Sequence, residues 1–317
     1  MTILVTGGAG FVGNNVIRKL VEQGKPVRAM VRHPEKAQKR LGNVSGDIEI
    51  VRGDVTDRHG IKAHFEGCSA VVHTVAISME KGGATYEEVN YQGTINVVDA
   101  AREAGVPRFI NVSQNGADSS LPYRFLASKG RAQEYVAATD LQWTAVRPSA
   151  IFGPQDEFFN TFARLLRLTP IVFPLIGGGK AEFQPVSIYD VAEAIARSLD
   201  DNKTIGQELA LGGPEVLTLG AIERRIIKTL DTSRILVPAP VGLLRPVVAI
   251  MQNVLPGSPV STSLLDLLAV PNTVPDNALM NVFLMDPIPF AGKHITYLRE
   301  ASAGQALTKF FTGKTIN

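Results

Sequence analysis

A single cysteine, Cys68, stands among the 317 residues, which excludes an intrachain disulfide and any cysteine-cluster metal site. An excess of either charge is also missing, since 32 Lys plus Arg against 30 Asp plus Glu leave +2. Nucleic-acid binding needs a concentrated basic surface to neutralise phosphates, so nucleic acid is set aside as the main partner. Charge is sparse at 20% beside 45% hydrophobic residues, a balance that excludes disorder as a description of the whole chain. No stretch reads as a membrane-spanning helix, because the charge-free stretch 246–265 is interrupted by Gln252, Asn253, Gly257 and three prolines. A basic start and an apolar h-region are both absent at the N-terminus, so no signal peptide is expected. The five histidines, at 33, 59, 64, 73 and 294, are too scattered for a metal site. These absences point to a soluble, cytoplasmic protein, with a peripheral seat on the inner face of a membrane left open.

What is present begins with rhythm. Short β-rich runs at 3–6, 27–32, 48–51, 70–74, 108–112 and 143–147 alternate with amphipathic runs at 11–23, 34–41, 61–65, 85–104 and 125–138. Alternating β and α units predict an α/β fold, a Rossmann-type doubly wound parallel sheet covered on both faces. Beyond Pro148 the rhythm changes, with helices predicted at 158–168, 187–199 and 218–230. The length exceeds what one core usually supports, so a nucleotide domain over 1–150 and a smaller C-terminal α/β lobe over 151–317, interleaved with the core, are expected.

The stretch 235–292 is unlike the rest. It holds four charges, Arg245, Asp266, Asp276 and Asp286, with nine of the 19 prolines and three of the six methionines. One reading is a loosely structured lobe packed on the nucleotide domain. The other is a surface for a protein complex, a lipophilic ligand or a membrane interface, and the sequence leaves both open.

Gly7-Gly8-Ala9-Gly10-Phe11-Val12-Gly13 follows the first strand and opens the first helix. Glycine at 7 permits the sharp turn, at 10 the approach of backbone to a pyrophosphate, and at 13 the packing of helix on strand. The amides of Phe11, Val12 and Gly13 then face the phosphates. A free ribose 2′-hydroxyl calls for an acid about 20 residues on, yet position 32, 19 residues past Gly13, is arginine. Arg32 suits a 2′-phosphate by charge and bidentate geometry and Lys36 adds a second cation, so NADP(H) is favoured over NAD(H). An ordinary solvated arginine is the alternative, and Lys36, Lys39 and Arg40 together read as a solvated helix face. In Gly53-Asp54-Val55-Thr56-Asp57, an acid after the third strand is placed to accept from the adenine amino group. Asp54 and Asp57 compete for that task and for capping the next segment.

Taken together, residues 6–13, Gly53-Asp54-Val55, Val72-His73-Thr74-Val75-Ala76, Asn90-x-x-Gly93-Thr94-x-Asn96 and Arg147-Pro148-Ser149-Ala150-Ile151-Phe152-Gly153-Pro154 resemble the extended and atypical short-chain dehydrogenase/reductase superfamily. Phe183-Gln184-Pro185-Val186 before Asp190-Val191-Ala192, followed by Leu211-Gly212-Gly213-Pro214-Glu215, is similar to one atypical branch. That branch is typified by the NADPH-binding accessory subunit of respiratory complex I and its bacterial relatives. The resemblance implies that Thr74, Val75, Ala76, Pro148 and Ile151 line the nicotinamide half of the cofactor, with Asn90 and Ser113 nearby.

Hydride transfer in that superfamily uses a phenol four residues before a lysine on one helix, with a serine orienting the substrate oxygen. The lysine is Lys129 and the serine Ser113, but the residue four before the lysine is Phe125, which has no proton to give. Tyr123 sits two positions early, roughly opposite on a helix, and serves only if the segment after Pro122 is not yet helical. Two functions stay open. One is a nucleotide-stabilised structural, assembly or sensing component of a membrane redox complex, with Lys129 as a ribose ligand. The other is an NADPH-dependent reductase of a lipophilic carbonyl, enone or quinone, drawing its proton from water, Tyr123 or His73.

Overall fold

The computed structural model describes residues 2–254, 258 and 261–312, so positions 255–257 and 259–260 of the apolar stretch lie outside the described residues. Two compact units emerge. The first comprises Met1–Pro148, Ile188–Leu211 and Asp276–Met285, and the second Ser149–Ser187, Gly212–Pro275 and Asp286–Asn317. The first unit takes chain from both sides of residue 150, and the stretch 235–292 contributes to both units.

In the first unit lie β1 (Thr2–Thr6), β2 (Val27–Val31), β3 (Ile48–Arg52), β4 (Cys68–His73), β5 (Arg108–Val112) and β6 (Gln142–Pro148), with a further strand, Gln207–Leu211, from later in the chain. From one edge to the other the order is Gln207–Leu211, β6, β5, β4, β1, β2, β3, and every neighbouring pair is parallel. The chain winds outward from β1 to β3, returns to lay β4 beside β1, and winds outward the other way. That reversal opens a crevice outside the carboxyl ends of β1 and β4, where open α/β sheets bind ligands. Burial of all five residues of β5 is what a sheet covered on both faces requires.

Helices α1 (Phe11–Glu22), α2 (Pro34–Leu41), α3 (Gly93–Glu103) and α4 (Arg124–Ala137) connect the strands. Helix α1 buries Val16, Ile17, Leu20 and Val21, an i, i+1, i+4, i+5 stripe. Leu4, Val71 and Phe109 of the sheet pack with Phe65, Val97, Val98 and Val136 in one cluster. Each of these large side chains contributes roughly 1.5–3 kcal/mol by leaving water. The strands fall within two residues of the predicted runs. The predicted helix 85–104 is divided, with a π-helical turn over Glu87–Gln92 leading into α3, and 61–65 shortens to a 3₁₀ turn, Lys62–Phe65.

Arg108 is buried without a carboxylate in ion-pair range among the described residues. Its guanidinium donates to Thr144 Oγ1 at 2.7 Å, Thr204 Oγ1 at 2.8 Å and the carbonyl of Ser198, tying β5 and β6 to the helix Ile188–Asp200, and burial pulls it down to about 10.

The second unit has a phenylalanine-rich core in which Phe152 meets Phe290 at 5.2 Å between ring centroids and Phe159 meets Phe290 at 4.5 Å. Buried Asp156 caps the helix Phe158–Leu168, accepting from the amides of Phe159 at 2.7 Å and Asn160 at 3.1 Å and from the Tyr297 hydroxyl at 2.7 Å. Burial pushes its carboxyl up to about 6. Val172–Ile176 pairs in parallel with Ile235–Ala239, and the helix Val241–Val254 follows. That helix buries Val248 and leaves Leu243, Val247, Ile250 and Val254 exposed at 74%, 52%, 66% and 69%. Their spacing of four, three and four residues places them on one face. No helix among the described residues is long and apolar enough to cross a membrane.

Candidate functional site

The site builds up from the turn after β1. Gly7 has φ +74°, and a Cβ there would lie 2.8 Å from Thr74 Oγ1 and 3.0 Å from Val75 Cγ2. Only a residue without a side chain lets the segment after β4 come this close. A Cβ on Gly13 would lie 2.3 Å from the Gly7 carbonyl oxygen, so glycine is obligatory where α1 passes over the turn. Gly10 donates its amide to Gly7 O at 2.8 Å and precedes α1 without a side-chain cap, and the first turn carries no acid. The helix-initial amides, Phe11, Val12 and Gly13 among them, have no carbonyl one turn back to pair with, and they face a cradle that side chains would fill. An anionic diphosphate fits that arrangement.

Arg32 is exposed immediately after β2, and Lys36 is exposed on α2, which opens at Pro34. Arg40 departs from the solvated face expected of it. It is half-buried, and its Nη1 reaches back to the Ala9 carbonyl of the glycine turn at 2.5 Å. The cause is the crossing of α2 over the β1–α1 connection, which spacing along the chain does not reveal.

The two acids after β3 divide their tasks. Asp57 accepts from the Gly60 amide at 3.0 Å, whereas Asp54 Oδ1 accepts from the Thr56 amide at 3.0 Å and its hydroxyl at 2.9 Å, leaving Oδ2 without a protein donor among the described residues. Val55 is buried against Gly93, where a Cβ would lie 2.7 Å from Val55 Cγ2, and its carbonyl accepts from Asn96 Nδ2 at 2.9 Å.

At the other end, Thr74, Val75 and Ala76 follow β4, with Thr74 Oγ1 donating to Thr6 O at 2.7 Å. Asn90, fully buried in the π-helical turn, holds this segment. Its Oδ1 accepts from the Ile77 amide at 2.8 Å, and its Nδ2 lies 3.1 Å from Ile77 O and 3.2 Å from Ser128 Oγ on α4. The wider turn supplies the side-chain direction, a common use of π-bulges at functional sites.

His73, read from the sequence as one proton source of the reductase alternative, ends β4. It is buried, with Nδ1 bonded to Thr6 Oγ1 at 2.8 Å and Nε2 to Thr94 Oγ1 at 3.0 Å, and burial pulls its pKa to about 3. The neutral ring keeps one N–H, engaged with a threonine hydroxyl, and lacks the acidic proton of an imidazolium.

Ser113, just past β5, is buried, and its Oγ has no hydrogen-bond partner among the described residues; both polar atoms of the Asn111 side chain are in the same condition. Asn111 lies in β5 and Ser113 one residue beyond its end, where its amide still donates to Val146 O at 2.8 Å, so the two side chains follow the strand's alternation toward one face. Buried polar groups without partners cost ~1–3 kcal/mol each, so they fit a bound polar ligand that completes them. No motif marks Asn111 in the sequence. Lys129 is buried, donates to Val112 O at 2.7 Å, and is lowered to about 8 by burial. Phe125 is buried edge-on against Tyr86 at 5.6 Å, and the Tyr86 hydroxyl donates to Ser78 O at 2.9 Å. Tyr123 is the extended residue before α4, with φ −88° and ψ 103°, so the opposite-face argument does not apply to it. Pro148 ends β6 and its carbonyl accepts from the Asn115 amide at 3.0 Å. Ile151 belongs to the second unit, where Ile151–Phe152 pairs with Val186–Ser187.

A family model described as NAD(P)H-binding matches residues 7–202. Over 218 residues the chain is 32% identical to "NADH dehydrogenase [ubiquinone] 1 alpha subcomplex subunit 9, mitochondrial" of Arabidopsis thaliana, covering 68% of this chain and 54% of that protein. It thus spans about half the length of that relative. Over 260 residues it is 29% identical to a 3 beta-hydroxysteroid dehydrogenase/Delta 5-->4-isomerase of Mycobacterium tuberculosis, covering 71% and 68%. Among solved structures, the Thermus thermophilus UDP-glucose 4-epimerase complex with NAD superposes with TM-score 0.64 at 24% identity, over 76% of this chain and 86% of that one; this likeness concerns the fold.

Proposed function

The chain belongs to the NAD(P)H-binding family, in an atypical branch of the short-chain dehydrogenase/reductases, and from that premise we propose that it binds NADP(H) in preference to NAD(H) as a structural element of a larger assembly at a redox membrane. The observation that carries this reading is Phe125. The residue four before the lysine is a hydrocarbon sealed against Tyr86, and the Lys129 ammonium is committed to the Val112 carbonyl. Bound nicotinamide supplies a hydride, but the chain offers no phenol at the position that would move the accompanying proton. A ligand that binds only the folded state stabilises it by mass action, about 2.7 kcal/mol at 100 times Kd, which is use enough for a cofactor without turnover.

The exposed stripe Leu243, Val247, Ile250 and Val254 supports the assembly half of the reading, because an apolar face of this extent turned to water calls for a covering partner. That partner is a protein complex or the membrane surface itself, with the chain peripheral on the inner face. Arg32 and Lys36 support the 2′-phosphate.

A second reading is a reductase of a lipophilic carbonyl, enone or quinone, favoured by the orphaned Ser113 Oγ and by the Tyr123 hydroxyl, which has no partner among the described residues. NADPH consumption against quinones and enals, measured beside cofactor affinity and exchange, separates the two. Slow exchange with no turnover is the expected result. Turnover that disappears in Lys129→Ala overturns the structural reading.

A further inference from the structure

Arginines of the first unit are mostly paired with carboxylates, among them Arg28 with Glu49, Arg58 with Asp99, Arg102 with Asp140, Arg131 with Glu87 and Arg147 with Glu208. Around the glycine turn and the ends of β2 and β3 this pattern stops. Arg32, Lys36, Arg40 and Arg52 have no carboxylate in ion-pair range among the described residues, and the neighbouring acids are turned elsewhere, Glu35 to His33 and Asp54 to Thr56. Val31 and Arg52 are register partners, so two of these cations leave the ends of adjacent strands. Positive charge gathered in one place without carboxylates repels itself and draws an anion toward it.

Arg40 is the member of this group that is fixed in place. Its Nη1 is bonded to Ala9 O, its own carbonyl accepts from Arg18, and the side chain is half-buried while Arg32 and Lys36 are exposed. The Nε and Nη2 edge, one of the forks with which guanidinium grips phosphate, has no protein acceptor among the described residues. One N–H spent on the loop therefore orients the others in advance, lowering the entropy lost on binding. The helix-initial amides of α1 already serve the diphosphate, and α2 begins two residues after the ribose-reading position 32.

We infer that Arg40 is a specificity-determining residue of the dinucleotide site, a second guanidinium that reads the 2′-phosphate beside Arg32, with Lys36 adding only screened charge. The inference rests on the NADP(H) reading. It is tested by calorimetric titration of the full chain, wild type, Arg40→Gln and Arg40→Lys, with NADPH, NADH, 2′,5′-ADP and 5′-AMP. Arg40→Gln is expected to weaken NADPH and 2′,5′-ADP by about 10-fold or more, while NADH and 5′-AMP change less than about 3-fold. Arg40→Lys, which keeps charge but loses the fork, is expected to fall between, with the thermal midpoint close to wild type. Equal losses for NADPH and NADH in either variant make Arg40 a prop of the loop or a diphosphate ligand, and overturn the inference. A wild-type preference for NADPH that survives in Arg40→Gln overturns it alone. Wild-type protein binding NADH as tightly as NADPH overturns the NADP(H) reading and this inference with it.

Discussion

The two ends of the proposed dinucleotide site handle charge in opposite ways. At the proposed adenosine end, Arg32, Lys36, Arg40 and Arg52 stay on or near the surface without carboxylate partners among the described residues, so an anion would meet charge left unanswered. At the nicotinamide end, His73, Asn90, Asn111, Ser113 and Lys129 are buried, and burial suppresses charge, holding His73 neutral and lowering Lys129. Solvated cations attract an anion at little cost, whereas a desolvated polar set is costly unless completed. The exposed cations and the buried polar set are therefore separable, so one can be broken while the other is kept.

Gly13→Ala should break the adenosine end most severely. Its Cβ would lie 2.3 Å from a backbone oxygen that cannot swing away, so dinucleotide affinity should fall more than about 100-fold, read by titration with NADPH. The nicotinamide end alone should not rescue it.

Lys129→Met tests the buried end. The lysine is lowered from 10.5 to about 8, so the unfolded chain binds the extra proton between those values. More protons on the unfolded state means stability rises with pH, here by up to about 1.4 kcal/mol per unit from pH 8 toward 10.5 and flat below. Thermal melts should show that rise in wild type and a smaller one in Lys129→Met. Identical slopes would mean the ammonium is solvated and the contrast between the two ends is false.

The smallest effect sought is a null titration. With a pKa near 3, His73 should show constant ring proton and nitrogen shifts from pH 5 to 8 by NMR, unlike a solvated histidine near 6.5. Titration in that interval would restore it as a proton source and weaken the structural reading of the site.

How much of this is legible in the sequence divides along the same line. The glycine turn, the six strands, Arg32 and the phenylalanine at 125 are local or periodic features, and each appears where the pattern places it. Spacing along α2 puts Arg40 on a solvated face, whereas its contact with Ala9 spans 31 residues and depends on how α2 crosses the loop. Whether Tyr123 belongs to α4 turns on where that helix starts, which the apolar period does not fix to the residue. The division of work between Asp54 and Asp57 needs the turn geometry, since both acids satisfy the same local pattern.

By itself the sequence determined the winding of the sheet, the nucleotide cradle and the missing phenol, because strand period, glycine spacing and residue identity are properties of short segments. Only the tertiary structure decided which polar groups are desolvated, which cations have no counter-ion, and which apolar residues of the stretch 235–292 face water. Those depend on the atoms that surround a side chain, and for Lys129 and Arg40 these include the distant carbonyls of Val112 and Ala9.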